Sequence, residues 1–170
     1  GTGVGGGVVR NGRVVTGVRG MGCEPGHMKI VVDGEQCGCG RRGCLEAYAS
    51  ARALVRFAMD NSASLAGNGA ELSDAKAVFD AARNGNRIAC EAVEEYVHYL
   101  AIGISNAIQM FRPECILIGG GVSAAGDILY VPLRKEVIQQ TYAAEEYGCP
   151  PILPAKLGND AGMIGAAWLK

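Results

Sequence analysis

Three cysteines and a histidine, His27-x9-Cys37-x-Cys39-x4-Cys44, constrain this chain more than anything else in it. Three thiols and one imidazole are the ligand set of a tetrahedral Cys3His zinc site. Glycines 34, 38 and 40 alternate with the ligands, so the backbone is free to fold tightly around one ion. All four ligands come from protein and none is left open for water, which marks the site as structural. The close Cys-x-Cys spacing is unusual for zinc fingers, so this is not a repeat of a known DNA-reading module. The competing reading is a loop of unmetallated thiols beside a chance histidine.

The remaining cysteines do not compete with that cluster. Seven cysteines in all, an odd number with no secretion signal ahead of them, disfavour a disulfide framework. Cys90 and Cys115 lie in apolar segments and are expected to be buried as small hydrophobes, whereas Cys23 and Cys149 fall in loops. A reducing, cytoplasmic setting follows. With 16 basic and 17 acidic residues in 170, the net charge is −1. That balance gives no footprint for a nucleic-acid groove or an anionic membrane. No apolar run reaches the roughly 18 residues of a membrane span. The first residue is Gly1 rather than Met, and an upstream piece is expected to be missing.

Alternation and periodicity predict a mixed α/β chain. Asn11-Gly12 between valine-containing runs predicts a type I′ hairpin. Met28–Val32 reads as a short strand, and Leu45–Asp60 as a helix with a cap or break at Ser50. Residues 61–69 read as a loop, and Ser73 as the N-cap of a helix that stops at Asn84-Gly85. Asn86 then caps a long helix whose stripe runs from Ala89 through Tyr96 and Ile104 to Phe111 and ends at Arg112-Pro113. Gly103 within it suits close packing. Cys115–Ile118 reads as a buried strand that delivers Gly119-Gly120-Gly121, the usual geometry of a nucleotide crevice. A helix over 133–140 is expected to take Pro132 in its first turn. Ile152-Leu153 is extended, and a last helix follows Gly158-Asn159-Asp160.

Two further constellations carry chemistry. Glu24 and His27 in Glu24-Pro25-Gly26-His27, together with Glu46, form a clamp suited to a polyol, because each carboxylate accepts several hydroxyl hydrogen bonds. One ring nitrogen of His27 on zinc would leave the other to face a hydroxyl. Taken alone, a glutamate near a histidine is more often a solvated loop pair. Gly1-Thr2-Gly3-Val4-Gly5-Gly6-Gly7 is not a Walker A loop, since a hairpin follows. Its backbone N–H groups suit a phosphate, with Thr2 as a hydroxyl donor. A flexible leading segment is the alternative. Twenty-six glycines, about 15% against a usual ~7%, fit such backbone-built sites.

Together these stretches resemble the sugar kinases of the ROK (repressor, ORF, kinase) family, bacterial glucokinases above all. The matching residues are 1–7, Gly22-Cys23-Glu24-Pro25-Gly26-His27, Cys37-Gly38-Cys39-Gly40-Arg41-Arg42-Gly43-Cys44-Leu45-Glu46, Ile118-Gly119-Gly120-Gly121, and Leu157-Gly158-Asn159-Asp160-Ala161-Gly162. Cys23 and Pro25 depart from the family's small or aliphatic residues. The resemblance implies an actin-like, ribonuclease-H-type α/β lobe with a mixed sheet, helices and a zinc-bound loop at 27–44. Residues 1–170 would be the C-terminal lobe of a two-lobe kinase that closes over ATP, Mg2+ and a hexose, its N-terminal lobe absent. Thr2 and Gly3 would then lie at the phosphates and Gly119 and Gly120 beside the adenosine. Glu24, His27 and Glu46 would grip the sugar, with His27, Cys37, Cys39 and Cys44 on Zn2+.

The family's catalytic aspartate sits in an Asn-Asp pair upstream of the Gly-Thr-Gly stretch. No catalytic residue is therefore assigned in this chain, and Asn159-Asp160 belongs to a different, C-terminal motif. The chain alone is expected to be inactive, because phosphoryl transfer depends on assembled positioning and charge stabilisation. The expected activity of the whole protein is glucose 6-phosphorylation. Fructose, mannose and N-acetylhexosamines are alternative substrates, and a homodimer is the expected assembly. Two other readings stand beside it: a sugar-sensing repressor carrying an upstream helix-turn-helix, and a stand-alone zinc module for protein contacts.

Overall fold

The long apolar stripe becomes the spine of the molecule. A computed structural model describes residues 3–64 and 72–168. In it, helix α4 runs over Arg87–Phe111. Asn86 caps it, its side-chain oxygen accepting from the Ala89 N–H at 3.0 Å. Ala89, Ala92, Val93, Tyr96, Val97, Ala101, Ile104 and Ile108 are buried along one side. Arg112, in the left-handed region at φ 42°, ends the helix one residue before Pro113, which disfavours continued helix in the residue before it.

Four helices pack around this spine. Helix α1 is Glu46–Ala49 and α2 is Ala51–Ser64. Helix α3 is Ala75–Arg83 and α5 is Asp127–Gln140. Ser50 separates α1 from α2 with an extended backbone, and its hydroxyl accepts from the Ala53 N–H at 3.2 Å. Leu54, Ile108, Leu129, Leu133 and Val137 are fully enclosed. Each such side chain contributes roughly 1.5–3 kcal/mol of burial, so the helical core carries most of the stability. Gly103 lets α4 approach the end of the cysteine-rich loop: a Cβ there would lie 2.4 Å from Leu45 Cδ2.

The strands are short. β1 (Val9–Arg10) pairs antiparallel with β2 (Arg13–Val14), and Asn11 and Gly12 both take positive φ, as a type I′ turn requires. β3 (Ile116–Ile118) pairs parallel with β4 (Ile152–Pro154), with α5 and the single-turn helix α6 (Ala144–Tyr147) between them in the chain. Helix α7 covers Ala161–Trp168 after a 3-10 turn at Gly158–Asp160.

Several expectations are corrected. Among the described residues the mixed sheet is two separate pairs, because the glycine-rich stretch 3–7 offers a strand only the Val4 side chain to pack. Met28–Val32 makes a single antiparallel bridge, Lys29 to Cys44, before Asp33 turns the chain at φ 51°. Helix α2 continues through Asn61 to Ser64, with Ser62 buried, so the loop expected at 61–69 starts later. Residues 65–69 of that stretch lie outside the described residues. The cap of α3 is Asp74 rather than Ser73, its carboxylate accepting from the Ala77 N–H at 2.8 Å. Helix α5 begins at Asp127, after Gly126 at φ 68°, which places Pro132 inside it rather than in its first turn. The missing Pro132 N–H leaves the Ile128 carbonyl without its intrahelical donor. Cys115 and Leu117 are exposed because they alternate with Ile116 and Ile118, the pair that packs against the core, and Cys90 is half-buried with its thiol on the Ala82 carbonyl at 3.5 Å. Helix α6 has no counterpart in the sequence reading.

Candidate metal centre and its acidic flank

The four expected ligands converge. One atom from each of His27, Cys37, Cys39 and Cys44 lies within 4.8 Å of every other. Cys39 Sγ and Cys44 Sγ are 3.7 Å apart, and His27 Nδ1 is 3.9 Å from Cys37 Sγ. A tetrahedral zinc with Zn–S of about 2.3 Å requires sulfur–sulfur edges near 3.8 Å, so the donor set fits this ion.

Loop geometry produces the convergence. A 3-10 turn at Pro25–His27 presents the imidazole, and Gly26 is buried there against the Val4 carbonyl, where a Cβ would sit at 1.9 Å. The Gly40 N–H donates to Cys37 O and the Cys37 N–H to Arg41 O, which turns the loop back after Cys39. Gly43 closes it: its N–H donates to Glu35 O at 2.8 Å, and its carbonyl accepts from Ile30 and Val31. Cys37 and Cys44 are buried, Cys39 is half-buried and His27 is exposed.

The thiols are not equivalent. Cys39 is lowered to about 7, chiefly by its hydrogen bond with the Arg41 backbone. Cys44 is raised to about 11, chiefly by desolvation, with the neighbouring thiols pushing the same way. A thiolate is the ligating form, so Cys39 is more readily available as a ligand than Cys44.

The acidic flank is partly assembled. Glu46 begins α1, two residues past Cys44. Its Oε1 accepts from Cys37 Sγ at 3.7 Å and its Oε2 from the Val4 N–H at 3.0 Å. His27 and Glu46 therefore meet at one sulfur. Glu24 is exposed, and its carboxylate has no partner among the described residues. Its backbone oxygen accepts from the His27 N–H at 3.1 Å, which ties it to the same turn.

The glycine sites are placed less completely. Thr2 lies outside the described residues. Gly3 abuts the Glu46 carboxylate, where a Cβ would fall 2.2 Å from Oε2. Gly119 follows β3, and Gly120 has φ 75°, its carbonyl accepting from the Ser123 N–H and hydroxyl. The glycine turn thus stands at the carboxyl end of a strand, where open α/β sheets bind ligands. The sequence reading missed Tyr48, whose only signal there is its place in an apolar stripe. Its hydroxyl reaches the Glu35 N–H at 2.6 Å, and with Glu35, Arg42, Arg56 and Glu95 it lines a cleft of about 400 Å³.

Fold and site together define an α/β chain in which a cysteine–histidine cluster is built against a carboxylate-bearing helix. The profile of the ROK family matches residues 1–170, and the chain belongs to that family. Its residues are 43% identical to a glucokinase of Thermotoga maritima over 98% of this chain and 55% of that protein. A ROK glucokinase of Streptomyces griseus, solved with glucose and AMPPNP, superposes with a TM-score of 0.88 at 35% identity. That match covers 98% of this chain and 57% of the other. A ROK transcriptional regulator homologous to E. coli MLC gives a TM-score of 0.80 at 31% identity over 98% of this chain and 42% of its own. The chain thus spans about half the length of these relatives. The mixed helices and strands agree with the actin-like fold that the family resemblance implied.

Proposed function

We propose that the chain is the C-terminal lobe of a two-lobe, ATP-dependent hexokinase of the glucokinase kind, which phosphorylates glucose at its 6-hydroxyl. The observation that carries this reading is the convergence of His27 Nδ1 and Glu46 Oε1 on the Cys37 thiol, 3.9 and 3.7 Å away. A metal held by His27, Cys37, Cys39 and Cys44 would supply rigidity to that corner, not reaction chemistry. With Nδ1 turned to the thiols, His27 keeps Nε2 for a sugar hydroxyl. Glu46 offers its carboxylate beside it, and Glu24 a second one from the same turn as His27. The glucose complex of the Streptomyces griseus relative and the high identity to the Thermotoga maritima glucokinase support the substrate class.

Backbone N–H groups of residues 2–3 would take the phosphates of ATP with its Mg2+, and Gly119 and Gly120 would flank the adenosine. The base that accepts the hydroxyl proton would come from the other lobe. The whole protein would act in the cytoplasm as a homodimer. Among the described residues, no helix is long and apolar enough to cross a membrane.

A coupled assay of the full-length protein across a hexose panel tests this. Glucose-dependent ADP formation, abolished together with calorimetric glucose binding by Glu46→Ala or Glu24→Ala, is expected. Glucose affinity unchanged in both variants refutes the clamp, and no ADP with any hexose refutes the kinase. The likeness to the ROK regulator favours a second reading, a sugar-sensing repressor. An Asn-Asp pair upstream selects the kinase, and a winged helix-turn-helix the repressor.

A further inference from the structure

We propose that Tyr48 is a positioning residue whose hydroxyl latches the start of the metal loop to helix α1 and so fixes the Glu46 carboxylate relative to the cage. This deepens the sugar-kinase reading and rests on it for the role of Glu46. Three observations carry the proposal.

The first is the bond itself. The Glu35 N–H donates to Tyr48 Oη at 2.6 Å, across 13 residues of chain. Glu35 is otherwise held through its carbonyl, which accepts from the Gly43 N–H at 2.8 Å, so both backbone groups of this residue are tied. The second is that Tyr48 is anchored where Glu35 is not. Tyr48 is 5% exposed, its ring 4.4 Å from that of Tyr99 on α4, and Tyr99 lies 6.0 Å from Phe57 on α2. The aromatic stack thus joins α1 to the helical core and aims one hydroxyl at the loop. The third is that Gly34 makes room for it: a Cβ at this position would sit 2.1 Å from Tyr48 Oη.

The consequence follows from chain connectivity. The loop leaves Glu35, passes Cys37 and Cys39, and returns through Cys44 to Glu46, only two residues before Tyr48. The hydroxyl therefore closes a ring whose circumference contains three of the four ligands and the carboxylate. Arg56 of α2 braces the same ring, donating to Ala47 O at 3.1 Å with Glu35 Oε2 4.0 Å away. Without the hydroxyl Glu35 keeps only its carbonyl tie to the Gly43 N–H, and the Val4 N–H, the Arg56 brace and the metal are left to define where Glu46 stands.

The test compares Tyr48→Phe with Tyr99→Phe in the zinc-loaded full-length protein. Both keep the aromatic stack, and only the first removes the acceptor of the Glu35 N–H. Leaving that donor unpaired is expected to speed zinc transfer to a chromophoric chelator about tenfold in Tyr48→Phe. Tyr99→Phe should match the wild type. Amide hydrogen exchange at residues 34–37 should rise in Tyr48→Phe alone, a readout that needs neither metal nor activity. The KM for glucose should rise about tenfold with kcat within about twofold, as expected when binding shared by the ground and transition states is weakened. Wild-type zinc release and exchange in Tyr48→Phe overturn the latch, as does an equal effect of Tyr99→Phe. A wild-type protein that turns over no hexose refutes the kinase reading, while release and exchange still decide the latch.

Discussion

Gly43→Ala provides the sharpest quantitative test of how the metal loop is built. Gly43 has φ 79°, and a Cβ there would lie 1.7 Å from the Val31 carbonyl oxygen. Two costs follow. A side chain in the left-handed region costs roughly 1–2 kcal/mol. Relieving the clash also requires residues 30–31 and 43 to separate, which breaks the bonds of Ile30 and Val31 to Gly43 O, 2.8 and 3.2 Å long. At roughly 1 kcal/mol net for each of these, the clash adds about 2 kcal/mol. Gly40 is the matched control, with φ 83° but nothing within 4 Å of its Cβ position, so Gly40→Ala pays only the first cost. Because loop order and metal binding are coupled, the difference should appear in zinc affinity. Gly43→Ala should bind zinc about 30-fold more weakly than Gly40→Ala, the conversion of about 2 kcal/mol. Competition with a chromophoric chelator measures both constants. Equal affinities would show that the close approach of Gly43 to Val31 does not hold the cage.

Other expected outcomes concern the flanks and the core. Asn86→Ala removes the cap of α4 and should cost about 1 kcal/mol, lowering the melting temperature by about 2–4 °C in a chain of this size. In metal-free protein, iodoacetamide should label Cys39, lowered to about 7, well before Cys44, raised to about 11. Equal labelling in a timed peptide map would refute that order. Glu136 lies below its ordinary value of 4.5, chiefly through its 2.9 Å bond to His98. A depressed carboxylate stabilises the fold above its unfolded value and loses that contribution as pH falls through the folded one. His98→Ala should therefore reduce the drop in stability below about pH 4.5, read by urea unfolding at pH 7 and pH 3.

What the sequence made legible was local chemistry. Asn11-Gly12 specifies its own turn, Asn86 its own cap, and the spacing of thiols its own cage, because each depends on neighbours within a few residues. What it hid was partnership across distance. Glu46 is held by the Val4 N–H, 42 residues away, and no pattern in either segment announces that bond. Tyr48 read as one more apolar position because packing and hydroxyl placement share one letter. Competing local signals explain the rest: Ser73 and Asp74 are both good caps, and the adjacent carboxylate won. Pro132 marks a first turn by propensity, yet the burial of Leu129 and Tyr130 draws the helix back to Asp127.

The division between helices and loop predicts what metal removal does. Apart from Cys44, the fully enclosed side chains belong to α2, α3, α4, α5 and β4, none of which contributes a ligand. Residues 26–44, in contrast, hold together through two isolated bridges, Lys29 with Cys44 and Gln36 with Arg42, and a few turn bonds. Such a segment buries too little apolar surface to offset its own conformational entropy, and an ion held by the four ligands would supply the difference together with the Tyr48 bond. Chelation should then open the loop while leaving the helical signal in far-ultraviolet circular dichroism nearly unchanged. Arg41 and Arg42 are exposed within the loop, and trypsin should cut there in chelated protein and spare the same bonds when zinc is restored. Loss of helix in step with loss of metal would mean that the cage nucleates the core rather than resting on it.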